Sequence, residues 1–273
     1  MRSYASRSCR CAEIQILLTD GTTGICEIDW RSRKSTVEVG RFADDLIAER
    51  VLTVQREGGW TSIDAPFGFP AAFSRSVHEW ASSGRIPFET EHDIRRRLSD
   101  SYVAKRQAAI KSASMPGSWN PWPLSSVVDL ITPSAIRCAR ILTAVHNGQA
   151  VDRIGLTSRV LEAYPIAALR GWNVTTRRYK TVATDCEAVL GELCKAVRIE
   201  SPVLIGRLPS GCEDDAVDAF VCALVARVVA LADGSTGPAV VGDYDAAQLD
   251  TVRTEGWIHL PPAGHRLQAL AAP

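Results

Sequence analysis

The first forty residues constrain the fold most, because three strand-like segments follow one another there with only short turns between them. Ile14–Thr19 is an apolar run that ends at the turn signal Asp20-Gly21, and Gly24–Trp30 and Thr36–Val39 follow. These connections predict two neighbouring hairpins. Doubly wound dinucleotide-binding folds open with a β-α-β unit instead, so this opening argues against that class.

Beyond the hairpins, strand-like and helix-like segments alternate, which is typical of an α/β domain. Strands are predicted at Trp60–Ile63, Leu161–Tyr164, Val203–Ile205 and Trp257–Leu260, and helices at Asp44–Glu57, Arg75–Ser82, Asp93–Ala113, Asp185–Val197 and Asp214–Ala232. The tail after Asp233 is expected to be loop-rich. No linker divides the chain, so we expect a single domain over residues 1–273 with a mostly helical insertion at about 71–155.

Composition and charge limit the class of protein. The 273 residues are 46% hydrophobic and 23% charged, which are ordinary values for a globular domain. The formal net charge is zero, which argues against coating nucleic acid by charge alone but leaves room for a local basic groove. The N-terminus lacks the apolar stretch of a signal peptide, and no apolar run reaches the ~20 residues of a membrane span. We therefore expect a soluble, cytoplasmic protein.

Eight cysteines raise the alternative of disulfides or a zinc site. Only Cys9 and Cys11 are close neighbours, and the sequence contains no C-x-x-C pair of the kind that forms a zinc knuckle. Several others, such as Cys222 in AFVCALVA, stand in apolar runs and resemble small buried hydrophobic residues. Reduced thiols are the expected state.

Five acidic residues stand at strand ends or on a helix expected to pack beside the sheet. They are Asp20, Asp64, Glu162, Asp215 and Asp218. Carboxylates at strand ends can point into the cleft where open α/β sheets bind ligands. Cations relieve their mutual repulsion, and two divalent ions about 4 Å apart also activate water for phosphodiester cleavage. Magnesium or manganese suits such an all-oxygen ligand set.

These residues also have a purely structural interpretation. Asp20 belongs to a common hairpin turn, Asp64 can cap the turn that follows it, and Glu162 can be an exposed strand residue. Asp214 and Asp215 are favourable residues for a helix N-terminus. The set, rather than any single residue, indicates a site.

The chain also carries a series of recognisable sequence blocks. They are DGTTG (Asp20–Gly24), IDAPFGFP (Ile63–Pro70), RRRLSD (Arg95–Asp100), EAYP (Glu162–Pro165), the pair Tyr179-Lys180, DAVDA (Asp215–Ala219) and EGWIHLP (Glu255–Pro261). In this order they resemble the family called domain of unknown function 429, whose members are predicted RNase H-like nucleases. IDAPFGFP, EAYP and DAVDA together form the most specific combination.

The resemblance implies a fold and a site. The fold is α/β, with a central mixed sheet of five strands, the first three antiparallel, flanked by helices. The site has Asp20, Asp64, Asp215 and Asp218 as ligands of Mg²⁺ or Mn²⁺, with Glu162 nearby in the catalytic cluster. The activity implied is metal-dependent hydrolysis of phosphodiester bonds.

Residues near the Arg-rich block and the Tyr-Lys pair are candidates for substrate binding. They are Arg96, Arg97, Asp100, Tyr179 and Lys180. Arginine forks suit phosphate recognition, and an aromatic ring can stack on a base. The alternative is that the basic runs are solvated helix faces.

Three functions remain open from the sequence. The first is a metal-dependent nuclease acting on DNA or RNA. The second is a catalytically degenerate RNase H-like binding or scaffold protein in a homo-oligomer or larger assembly, which is favoured if the first-strand acid aligns near Gln15 rather than Asp20. The third is an ATP-using phosphotransferase of the sugar-kinase and actin superfamily. That class usually needs two such halves and glycine-rich phosphate loops, and this chain has neither.

Overall fold

The computed structural model describes residues 12–18, 22–87, 89–114, 120–128, 130–174, 178–206, 211–232, 236–241 and 244–272. The strands are β1 (Ala12–Leu18), β2 (Thr23–Asp29), β3 (Lys34–Gly40), β4 (Trp60–Asp64), β5 (Val160–Ala163), β6 (Val203–Ile205) and β7 (Ile258–His259). The helices are α1 (Asp44–Arg56), α2 (Ala71–Ser83), α3 (Glu91–Arg95), α4 (Leu98–Ser114), α5 (Thr132–Val145), α6 (Pro165–Gly171), α7 (Ala183–Val197), α8 (Glu213–Ala232), α9 (Pro238–Val241) and α10 (Ala246–Glu255), and a 3₁₀ turn follows at Leu267–Ala271. The chain therefore has a mixed α/β fold.

The strands form a sheet in the order β6-β3-β2-β1-β4-β5-β7. The pairs β1–β2 and β2–β3 are antiparallel, as the short turns between them predict, and the other neighbouring pairs are parallel. The described sheet has seven strands instead of the five that the resemblance implies. The difference lies at the edges, where β6 and β7 are only three and two residues long.

The last long helix, α8, lies against one face of the sheet and packs on β1, β2 and β4. Its sequence is apolar on nearly every side after the first turn, and residues 215–229 are buried. Gly24 of β2 allows this close approach. A Cβ atom there would collide with the backbone carbonyl oxygen of Asp215 and would lie 3.2 Å from Ala219 Cβ. The contact fixes the acidic start of α8 beside the start of β2.

Helices α1 and α5 cover the opposite face. Ile25 of β2 lies in a buried core with Ile47 of α1 and Ile141 of α5, whereas its neighbour Cys26 lies in the core around α8. Successive side chains of a strand point to opposite faces of its sheet, so this alternation shows that β2 is covered on both sides.

The helix expected at Asp93–Ala113 is interrupted. Between α3 and α4, Arg96 is extended, with φ −126° and ψ 130°, and the chain then turns into α4 at Leu98. Arg97, which lies at this junction, is buried. Residues 71–155 contain α2 to α5 and no strand within their described part.

The tail expected to be loop-rich contains a further helix, α10. The Asp245 side chain accepts the backbone N–H of Gln248, and the Gln248 side chain accepts the backbone N–H of Asp245. This reciprocal capping box is a helix start signal that the sequence contains as Asp-x-x-Gln. The helix itself has little apolar periodicity, which is why the pattern did not predict it.

The cysteines that the structure describes are free thiols, as expected, and all of them except Cys212 are buried. Cys9 and Cys11 lie outside the described residues. Within the described ranges, no helix combines the length and the apolar character that crossing a membrane requires.

Candidate active site

The ends of three neighbouring strands define the position of the site. Asp64 ends β4 and pairs with Leu17 of β1, which pairs in turn with Gly24 of β2. On its other side β4 pairs with β5 up to Glu162. The carboxyl ends of β1, β4 and β5 therefore lie next to the start of α8. Asp20, expected to join the cluster from the end of β1, lies outside the described residues.

A cavity of about 480 Å³ lies at this edge of the sheet. Its lining includes every carboxylate that the sequence predicted for the catalytic cluster and that the structure describes, together with Asp214 and Lys180. These residues are Asp64, Glu162, Asp215, Asp218, Asp214 and Lys180. Side chains from distant parts of the sequence thus share one cavity.

The carboxylate of Asp64 makes no hydrogen bond or ion pair with any residue that the structure describes. Burial raises the pKa of Asp64 to about 8, the negative charge of Asp218 adds to the rise, and Lys180 opposes it. Burial also raises the pKa values of Asp214 and Asp215. These four aspartates carry more negative charge than one lysine balances, so the cavity favours a further cation or a bound proton.

Asp218 is held by the Tyr-Lys pair. The Tyr179 hydroxyl donates to Asp218 Oδ1 at 2.9 Å, and the Lys180 ammonium forms an ion pair with Asp218 Oδ2 and lies 3.7 Å from Asp214 Oδ2. Burial is the largest single influence and opposes the charged form of Lys180, but the carboxylates of Asp218, Asp64 and Asp214 together outweigh it and raise the lysine pKa above its usual range. Both residues were expected to bind substrate. Tyr179 is buried against Asp218, whereas Lys180 lines the cavity and is half-exposed.

Thr22, from the DGTTG block, contacts the start of α8, and sequence reasoning did not single this residue out. The Thr22 hydroxyl donates to Asp215 Oδ2 at 2.5 Å. This hydrogen bond opposes the effect of burial on the pKa of Asp215. Gly24 lies under the backbone of the same aspartate. Thr22 and Gly24 therefore position an acidic side chain of the cavity.

Arg97 forms a buried ion cluster with Asp100 and Glu162. Its guanidinium donates to both carboxylate oxygens of Glu162, at 2.8 and 2.7 Å, and to Asp100 Oδ1 at 2.9 Å. Glu162 also accepts the backbone N–H of Phe67 at 2.9 Å, which ties the loop after Asp64 to β5. Burial raises the pKa of Glu162 and Arg97 opposes the rise.

This cluster involves three residues with predicted roles. Arg97 and Asp100 were expected to bind substrate, and Glu162 was expected to take part in catalysis. Arg97 and Glu162 border the cavity, but their polar atoms bind one another, and Asp100 is fully buried beside them. In this arrangement they hold the strand ends and the IDAPFGFP loop together.

Glu255, from the EGWIHLP block, extends the same arrangement. Its carboxylate accepts the backbone N–H groups of Ala71 and Leu98, both at 2.7 Å. These residues begin α2 and α4, so one carboxylate caps two helix N-termini, where negative charge is favourable. Sequence reasoning missed this role, because a pattern gives no indication of which distant helix a carboxylate will meet.

Arg96 lies on the outer side of the cavity region. Its guanidinium donates to the carbonyl oxygen of Pro123 at 2.5 Å and stacks over the Trp122 ring at 5.2 Å. It was expected to bind substrate. In the structure it fixes the segment that carries Leu124, which lines the cavity.

The cavity provides oxygen donors of the kind that bind Mg²⁺ or Mn²⁺. Asp64, Asp215 and Asp218 are hard carboxylate ligands, and Asp64 has no competing partner among the described residues. Among the residues that the structure describes, no three or more His, Cys, Asp or Glu side chains are already arranged as a metal centre. The expected fourth ligand, Asp20, lies outside those residues. The donor chemistry fits a divalent cation, and Lys180 pairs with one of the donors, Asp218.

These features define a mixed α/β protein with an acidic cavity where the carboxyl ends of its parallel strands meet the N-terminus of a buried helix. The chain belongs to the family described as protein of unknown function (DUF429), whose family model matches residues 20–242. This match confirms the family resemblance seen in the sequence blocks. Comparison with curated proteins and with solved structures gave no match.

Proposed function

We propose that the protein is a divalent-metal-dependent nuclease that hydrolyses phosphodiester bonds of DNA or RNA in this cavity. One observation carries the proposal: Asp64 of β4 and Asp215 and Asp218 of α8 line the same cavity, and Asp64 makes no hydrogen bond or ion pair with any of the described residues. A cation that binds between carboxylates crowded in this way relieves their repulsion, and divalent ions do so with oxygen ligands of this type.

An RNase H-like fold is part of the proposal. It is supported by the order β3-β2-β1-β4-β5 within the sheet, with the first three strands antiparallel and the next two parallel to β1. It is also supported by the acidic residues at the carboxyl ends of the parallel strands, where ligands bind in open α/β sheets. The short edge strands β6 and β7 are additions to that core.

In this proposal Asp64, Asp215 and Asp218, together with Asp20, hold Mg²⁺ or Mn²⁺. When bound, such ions supply an activated water and stabilise the leaving oxygen. The Tyr179 hydroxyl and the Thr22 hydroxyl fix the orientations of Asp218 and Asp215.

The protein's cations have separate roles. Lys180, half-exposed in the cavity lining, presents an ammonium group to the phosphate. The Arg97–Glu162 pair is a positioning device that keeps the loop after Asp64 on β5.

The substitution Asp64→Asn tests the proposal, because the amide preserves shape and removes the negative charge that a metal ligand needs. We expect it to lower Mg²⁺- or Mn²⁺-dependent cleavage of oligonucleotides by more than about a hundredfold and to weaken Mn²⁺ binding measured by calorimetry. Asp45→Asn, an exposed aspartate on α1, is the matched control and should leave both unchanged. Full cleavage in EDTA, or an Asp64→Asn variant as active as wild type, would refute the proposal.

A second candidate is a catalytically degenerate nucleic-acid-binding protein of the same fold. The Lys180–Asp218 ion pair favours it, because the lysine supplies from within the chain a positive charge that a metal ion would otherwise provide. This reading predicts that the wild-type protein binds oligonucleotides but neither binds Mn²⁺ nor cleaves them. Measurable Mn²⁺ binding that Asp64→Asn abolishes would exclude it.

A further inference from the structure

The cavity has an apolar wall as well as an acidic one. Leu124 and Leu130 line it although 54% and 94% of their surfaces are exposed. Ile131, next to Leu130 in the sequence, also lines it, and Tyr164 and Ile166 contribute to the lining from the segment after β5. Single exposed leucines are ordinary, but apolar side chains that share a concave lining with a few charged groups are typical of ligand pockets.

The segment that carries Leu124 is fixed in place. Arg96 donates to the Pro123 carbonyl oxygen and stacks on Trp122, and the Ser125 hydroxyl donates to the carbonyl oxygen of Arg95 at 2.8 Å. These contacts tie the part of the apolar wall that carries Leu124 to the end of α3. A wall that is ordered in advance costs a ligand little on binding.

The acidic wall is the buried one. Asp218 is fully buried and Asp215 nearly so, whereas the two leucines are exposed. A phosphodiester must therefore enter the cavity to reach the carboxylates. In a duplex the adjoining base is held by pairing and stacking and can follow only if it is extruded. An unpaired nucleotide can enter with its base.

We infer that the cavity binds one unpaired nucleotide, with its phosphodiester at Asp64, Asp215 and Asp218 and its base against Leu124 and Leu130. The inference rests on the proposed function and specifies its substrate class. Two sources present an unpaired nucleotide with a phosphodiester. They are the strand ends of single-stranded DNA or RNA, and small mononucleotide esters. Apolar contact with the face of a base is tolerant of sequence, so little base preference is expected.

Binding of a single-stranded oligonucleotide with the fluorescent base 2-aminopurine at one end tests the inference. Binding is measured in Ca²⁺ and in EDTA for the wild type and for Leu130→Ser and Leu124→Ser. Two further measurements distinguish the sources of the nucleotide. One is binding of the same oligonucleotide in a blunt duplex, and the other is competition by thymidine 5′-monophosphate. Leu46→Ser, an exposed leucine on α1, is the matched control.

We expect the terminal base to change fluorescence on binding, and each cavity variant to bind about tenfold more weakly than the wild type and the Leu46→Ser control. The blunt duplex should bind at least tenfold more weakly than the single strand. Equal binding of duplex and single strand, or cavity variants that bind like the wild type, would overturn the inference even if metal-dependent cleavage is found. Leucine-sensitive binding of the single strand without any cleavage would support the pocket while the proposed nuclease activity fails.

Discussion

At the scale of single residues, Arg97 is the side chain on which the arrangement of the site depends most. It is buried, and it joins Asp100 and Glu162 while Glu162 holds the backbone of Phe67. Removing one partner of a buried ion pair leaves the other charge without compensation. Replacing the whole pair by neutral groups leaves no such charge.

We expect Arg97→Met to lower the free energy of unfolding by about 3–5 kcal/mol, measured by urea denaturation. Combining it with Glu162→Gln should recover part of this loss, since one of the two orphaned carboxylates is then removed while Asp100 remains. Arg253→Met, which breaks an exposed pair with Asp250, should change stability by less than about 1 kcal/mol. An Arg97→Met variant as stable as the Arg253→Met control would contradict the account.

His259 gives the protein a predicted pH dependence of stability. It is fully buried, with Nε2 2.8 Å from the Ile154 carbonyl oxygen and Nδ1 3.2 Å from the Thr236 hydroxyl. Burial lowers its pKa from 6.5 to about 4, although the Ile154 hydrogen bond opposes the change. The folded state therefore favours the neutral ring. The contribution of His259 to the free energy of unfolding is complete above pH 6.5 and falls as the pH drops towards 4.

We expect the stability of the wild type relative to His259→Gln to fall by up to about 3 kcal/mol between pH 7 and pH 4, since one pKa unit corresponds to about 1.4 kcal/mol. Denaturant titrations of both proteins at several pH values measure this. A stability difference that does not vary with pH would show that the ring is not held neutral.

The residue types of the site could be predicted from the sequence, but their pairing could not. Asp64, Asp215 and Asp218 were identified because strand ends and the start of a helix have recognisable signals. That Arg97 would meet Glu162, or that Thr22 would meet Asp215, depends on side chains brought together only by the tertiary fold. Local pattern carries no information about such contacts.

At the scale of secondary-structure elements, the approach of α8 to β2 determines where the acidic end of the helix lies. Gly24 permits that approach, because any side chain there would meet the backbone of Asp215. Overpacking of this kind is relieved only by moving the helix, and that displacement would shift Asp215 and Asp218 relative to Asp64.

We expect Gly24→Ala to lower stability by about 1–3 kcal/mol and to weaken Mn²⁺ binding, measured by thermal unfolding and calorimetry. Gly191→Ala is the matched control, since Gly191 lies within α7 with nothing near its added methyl group. It should be neutral or raise stability by up to about 1 kcal/mol. A Gly24→Ala variant that behaves like the control would mean that the close approach is unimportant.

Most of the long elements followed from local pattern, and two of the exceptions have physical reasons. The hairpins of β1–β3 were predicted from the short connections between their strands. The helix α8 was predicted from its long apolar run. The break at Arg96 was missed because Arg97 turns inward to carboxylates contributed by other parts of the fold. α10 was missed because its cap, rather than its periodicity, specifies it.

At the scale of the whole molecule, one sheet edge gathers most of the recognisable sequence blocks. The Arg97–Glu162 cluster and Glu255 tie β5, α2, α4 and α10 around the loop after Asp64. Thr22 of the DGTTG block and the Tyr-Lys pair hold Asp215 and Asp218 of α8. The blocks therefore build one cavity rather than several separate sites.

The central claim is that this cavity binds divalent metal between β4 and α8. The most direct measurement is anomalous diffraction from a crystal grown in Mn²⁺. We predict a manganese peak within ligand distance of Asp64 and of Asp215 or Asp218, with the Lys180 ammonium displaced from Asp218. A structure with no peak and with Lys180 still paired to Asp218 at saturating Mn²⁺ would contradict the account.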